Sequence, residues 1–203
     1  MRTLVICTLG LVMTAAMLAV SAREPAEGDR AIMRAHLVDY VTMDAEEFRR
    51  STTEASTIWS DIGVRLTWDR GGVSTASTEP ALEVTVLVLR QDMAQRMIAA
   101  ENRGPGVLGR AVPEALRAYI FYDRVRAVSE RYGGPEGSVL GKVFAHELGH
   151  LLLGHTHSSS GLMRAQPDLK STGLGFSPDD GARIRAGITQ KIAASEVPGR
   201  PLP

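Results

Sequence analysis

The chain has 203 residues, 44% apolar and 23% charged, with Lys plus Arg and Asp plus Glu equal at 23 each. That length builds one domain with its own hydrophobic core and leaves too little for a second. Balanced charge without a block of one sign excludes the electrostatic footprint of a nucleic-acid binder.

The first segment, "MRTLVICTLGLVMTAAMLAVSA", places one positive charge at Arg2 before a charge-free apolar run from Leu4 to Val20, and closes on small residues at Ala19, Ser21 and Ala22. This layout reads as a secretory signal peptide over residues 1–22, with residues 23–203 as the mature domain. The run falls short of a comfortable membrane span, so no membrane association is expected after cleavage. Cys7 is the only cysteine and lies inside this segment. The mature chain is therefore expected in a periplasm or outside the cell, with no disulfide to stabilise it there.

"REPAEGDR" reads as a polar N-terminal tail. "MRAHLVDYVTM" then predicts a first strand, on which His36 reads as structural. Asp44 starts a helix with Glu47 three residues on, as in a capping box, and Gly63 stops it. "VRLTWD" alternates apolar and polar residues and "LEVTVLVLR" is rich in β-branched residues, so both predict strands. "RGGVSTASTEP" between them reads as a loop. A short helix is expected over Asp92 to Ala100, followed by a glycine-rich loop, "ENRGPGVLGRAVP", read as the rim of a cleft. "RAYIFYD" predicts a strand and "RVRAVSERYGG" a short helix.

A long helix, "SVLGKVFAHELGHLLL", is expected to start at Ser138 and end at Gly154. Near the C-terminus, Ser177 as N-cap and Pro178 at the first helical position open a last helix that packs through Ile184, Ile188 and Ile192. The order of elements predicts an α+β single domain, a mixed twisted sheet with an active-site helix and a C-terminal helix.

The chemistry concentrates in "AHELGHLLLGHTHSSSGLM". His146 and His150, four apart on a helix, project from one face and can share a Zn²⁺ ion. Glu147 stands about 100° round the helix from His146, placed to act on a water as general base. This is the HExxH pattern, here on an apolar helix where buried histidines and a carboxylate need a partner. A catalytic zinc takes three protein ligands and keeps one position open. The third could come from His155, His157, Asp168 or Glu196.

The stretch resembles the metzincin branch of zinc peptidases, in which the HExxH helix turns out at a glycine, a third histidine follows, and a methionine lies beneath the site. "HELGHLLLGHTH" carries one residue more than that pattern between His150 and Gly154, which rotates the helix exit by about 100°. The G-x-x-H half is intact from Gly154 to His157. "SSSGLM" places Met163 as in the tight Met-turn of archaemetzincins. No tyrosine follows closely, so the tyrosine ligand of some metzincins is not indicated.

The resemblance covers about Arg117 to Arg164. It implies a zincin-like fold, Zn²⁺ held by His146, His150 and His157, and a secreted endopeptidase in which Glu147 is the catalytic general base. It also implies an edge strand, assigned to "RAYIFYD", that binds a peptide or protein substrate as an added strand. A monomer is expected. A cysteine switch is excluded because the expected mature chain has no cysteine. The alternative is a zinc-bearing scaffold or binding module without catalysis, which a fourth protein ligand would favour.

Overall fold

A computed structural model describes residues 30–71, 79–101 and 106–195. The expected signal peptide and most of the polar tail therefore lie outside the described residues, as do Glu196 and parts of the two glycine-containing loops. Among the described residues, no helix is long and apolar enough to cross a membrane.

Strand β1 (Ala31–Asp39) leads into helix α1 (Ala45–Ser60), then β2 (Val64–Arg70), β3 (Leu82–Leu89) and α2 (Gln91–Glu101). Strand β4 (Gly109–Val112), a short 3-10 turn, β5 (Arg117–Phe121), α3 (Tyr122–Tyr132), α4 (Glu136–Leu153) and α5 (Pro178–Ser195) complete the chain. The sheet order is β2-β1-β3-β5-β4. β1 pairs in parallel with β2 and β3, and β3 with β5, while β4 runs antiparallel to β5. This is the mixed α+β domain expected from the order of elements.

The apolar positions of β1 and β3 alternate, as a strand with one face on the core requires: Met33, Ala35 and Leu37 are buried with Val84, Val86 and Val88. That face packs under α1, α4 and α5 in the main core, while α2 covers a smaller cluster of Leu89, Ala94 and Phe121.

α1 is capped by Asp44, whose side chain accepts from the Glu47 amide at 2.8 Å. Glu47 does not reach back to complete a capping box; it accepts from the Tyr122 hydroxyl at 3.0 Å and so ties α1 to α3.

Two further expectations are corrected. α4 begins at Glu136 with Pro135 as N-cap, two residues before Ser138, because proline's fixed φ suits the helix entry. "RAYIFYD" is an interior strand between β3 and β4, so it is not the sheet edge. Among the described residues the edge strand on this side of the sheet is β4, with β2 at the other edge, and β4 lies within the segment read as a loop. Its four residues and flanking glycines were too short a pattern to signal a strand.

α1 and α4 approach closely because α4 offers glycine at the seam. A Cβ on Gly141 would lie 2.6 Å from the Ser51 carbonyl oxygen, and one on Gly137 would lie 2.7 Å from the Arg50 Cβ. Glycines four apart on one helix face leave a groove into which α1 fits.

Candidate metal centre

His146 and His150 stand one turn apart on α4, and the helix places their side chains together. Gly154 then ends the helix at φ 76° and ψ −162°, a conformation a side chain would resist. The exposed stretch beyond it carries His155 and His157. Of these, His157 returns to the helix: ligand atoms of His146, His150 and His157 lie within 4.8 Å of one another. The His157 ring centre is 5.7 Å from that of His146 and 4.9 Å from that of His150. His155 lines the same cleft but stands outside the cluster, as does Asp168. Among the described residues no other such group of three occurs.

Protonation follows from the backbone around the rings. His146 Nδ1 lies 2.8 Å from the Leu162 carbonyl oxygen, and His150 Nδ1 lies 2.7 Å from that of Gly154. A carbonyl only accepts, so each Nδ1 carries the proton and donates. Burial lowers the pKa of His146 to about 4 and that of His150 below its usual value. Near neutral pH both rings are therefore uncharged, and each Nε2 presents a bare lone pair.

These two Nε2 atoms face each other at 3.1 Å. Two acceptors at that distance repel, and a cation between them turns the repulsion into binding. Tetrahedral zinc with bonds of about 2.0–2.1 Å needs nitrogens about 3.3 Å apart, so this donor set fits the ion. The Nδ1 bonds to carbonyls are the supports that hold metal-binding imidazoles in one tautomer and orientation.

The turn after His157 packs against the helix that carries the rings. Ser158 N–H donates to the Met163 carbonyl at 2.8 Å, and Leu162 N–H donates to Gly175 O at 2.7 Å. Met163 is fully buried, with its sulfur against Gly149, between the two helical histidines in sequence. Asp180 locks this turn to α5. Its carboxylate accepts from Ser158 Oγ and from Ser177 Oγ, each at 2.7 Å, while its own amide donates to Ser177 Oγ at 3.2 Å.

Glu147 is buried and lines a cleft of about 1150 Å³ together with the three histidines. β4 crosses directly over it: a Cβ on Gly109 would meet Glu147 Cγ at 2.6 Å. The cleft also takes in a face of α3 and the segment 165–170. That segment is pinned by Lys142, four residues before His146, whose buried ammonium donates to the carbonyls of Leu169 at 2.9 Å and Ser171 at 3.1 Å. Gly109, Lys142, Ser158 and Asp180 escaped the sequence reading. A lone lysine in the apolar run "VLGKVFA" was the one available signal, since a charge there has to find buried partners.

His36 lies away from the cluster, on the outer face of the sheet. Its Nε2 is 2.6 Å from Glu83 Oε2 and its Nδ1 is 3.4 Å from Asp69 Oδ2.

No family model matches the chain, and no curated protein matches it. Among the solved structures that are similar in part, two serve as examples. One is a zinc-dependent peptidase from Methanocorpusculum labreanum (strain Z), 15% identical, covering 76% of this chain and 99% of its own, with a TM-score of 0.43. The other is a Thermotoga maritima protein determined in solution, 11% identical, covering 83% and 100%, with a TM-score of 0.38. Likeness of this degree is one of outline only. The chemistry rests on the residues of the cleft.

Proposed function

We propose that this chain is a zinc-dependent endopeptidase of zincin-like fold, exported by a signal peptide over residues 1–22. The observation that carries the proposal is the pair of neutral, carbonyl-braced imidazoles with opposed Nε2 lone pairs, joined by His157 beside a buried glutamate. His146, His150 and His157 would hold the ion. Zinc would supply Lewis acidity toward a water and a peptide carbonyl.

The chain's own residues do the rest. Glu147 takes a proton at a carboxylate oxygen as general base and returns it to the leaving amine. β4, the antiparallel edge strand among the described residues, runs along the cleft, where an extended peptide could add as a strand. Gly109, opposite Glu147, lets the backbone of that strand come close to the reacting centre.

A closed, purely structural zinc site would take a fourth protein ligand. His155, the nearest candidate in sequence, stands outside the cluster, which favours catalysis over a scaffold.

Zinc analysis and peptide hydrolysis test the reading together. The purified protein should bind one zinc per chain, keep it in His155→Ala and lose most of it in His157→Ala. Glu147→Gln should retain zinc and lose at least about a hundredfold in turnover of a peptide library. Zinc-free wild-type protein, or equal turnover with and without Glu147, would sink the proposal.

A further inference from the structure

β4 meets the cleft by its edge, and its register decides which of its peptide groups are offered there. The Leu108 carbonyl accepts from the Phe121 amide at 2.9 Å, so these two residues form a hydrogen-bonded pair of the ladder. Such pairs alternate along an antiparallel ladder. With Gly109 opposite Ile120 and Ala111 opposite Ala118, it is Arg110 and Val112 that turn their N–H and C=O groups to β5. Gly109 and Ala111 turn theirs to the edge. A Cβ on Gly109 would meet Glu147, and Ala111, two residues on, is buried on the same face. The two open peptide units therefore stand beside the buried carboxylate.

Both ends of this edge are closed. Two residues before Gly109 comes Val107, whose carbonyl accepts from the Arg124 guanidinium at 2.9 Å. Arg124 reaches it from α3, lying 5.8 Å from the centre of the Phe121 ring. Two residues after Ala111 comes Pro113, which has no N–H to give. Its carbonyl accepts from the Leu116 amide at 3.3 Å within the 3-10 turn. Between these stops, no hydrogen bond from outside the sheet reaches the backbone of Gly109 or Ala111 among the described residues. A proline and a charged side chain are common means of limiting what an exposed strand can pair with.

We infer that the edge of β4 pairs with a bound chain at Gly109 and Ala111 alone, with Arg124 and Pro113 as the residues that set its length. The inference rests on the peptidase reading for the class of molecule bound. In antiparallel addition each of the two residues exchanges both of its hydrogen bonds, so the edge reads a stretch of about three residues. It suits short extended segments and gains nothing from a long strand.

The test is fluorescence anisotropy on zinc-loaded full-length protein carrying Glu147→Gln, so that nothing is cleaved. The probes are labelled peptides of one central sequence, lengthened at either end by alanine and glutamine. Affinity should rise until the peptide has about five residues and then change less than about twofold. Adding Arg124→Met keeps the aliphatic stem and releases the Val107 carbonyl. Peptides long enough to reach Val107 should then bind about fivefold more tightly than the five-residue one, the scale of one hydrogen bond. An N-methyl scan of the peptide gives a reading without that variant. Binding should weaken most at two positions, two residues apart, whose N–H groups meet the carbonyls of Gly109 and Ala111.

Affinity that keeps growing with length before Arg124 is changed overturns the inference. So does an Arg124→Met protein that binds long peptides no better, or an N-methyl scan with weak positions spread along the peptide. The two readings fail separately. Growth of affinity with length in a protein whose wild type cleaves peptides removes the inference alone. The two-position pattern without any cleavage by wild type keeps the short edge and removes the peptidase, and failure to bind any peptide removes both.

Discussion

Substituting single atoms at Gly109 and Ser158 separates positioning from metal binding. Gly109→Ala places a methyl group where Glu147 Cγ already stands, 2.6 Å away, so Glu147 has to move. Turnover should fall at least about tenfold, since misplacing a catalytic group by an ångström is that costly, with zinc content unchanged. Ser158→Ala removes the 2.7 Å bond from the His157 turn to Asp180. Its zinc affinity, measured by chelator competition, should drop about tenfold, the scale at which supporting hydrogen bonds act. Ser177→Ala breaks the other Asp180 bond and the α5 cap, so it should cost about 1 kcal/mol of stability with little change in zinc affinity. Equal zinc affinity in the two serine variants would deny the Ser158 bond its role. At this scale the sequence was informative where chemistry is local in the chain. His146, Glu147 and His150 announce themselves by helical spacing. Gly109 meets Glu147, Lys142 meets the carbonyls of Leu169 and Ser171, and Asp180 meets the Ser158 hydroxyl, each 22 or more residues away, and no local pattern encodes such a meeting.

Among the elements, the strong strands and helices were legible because their apolar periods are long: β3, α1 and α5 match their patterns, β1 starts two residues earlier and ends at Asp39, short of the expected Met43, Gly154 ends α4, and Ser177 caps α5. The edge strand was not. β4 has four residues, two of them glycine and arginine, and becomes a strand only by pairing with β5. The most revealing test of an element lies in the segment 165–170. Lys142→Met removes the donor to two carbonyls and should leave that of buried Leu169 unpaired, costing about 2 kcal/mol in urea unfolding. If the proposed function holds, the same variant should raise KM for peptides more than it lowers kcat, because the wall it loosens would bind substrate and take no part in proton transfer.

For the whole molecule, stability should depend on pH through the cluster. His146 is held down to about 4 by burial, against about 6.5 in the unfolded chain. Between those values the unfolded state binds more protons than the folded one, so stability rises with pH. With excess chelator present, thermal unfolding should show stability fully present above about pH 6.5 and falling by about 2–3 kcal/mol as pH drops toward 4. A flat profile over that window would contradict the burial of the ring.

The glycine seam between α1 and α4 bears on how such a protein could change its preferences over generations. One flank of the motif helix admits no side chain at Gly137 or Gly141, and the opposite flank carries the histidines. The helix is thereby closed to variation on both sides. New specificities would have to arise on α3 and in the segment 165–170, where exposed residues face the cleft and a substitution leaves the reacting groups in place. A library restricted to those two stretches should yield more active variants than one of equal size spread along α4.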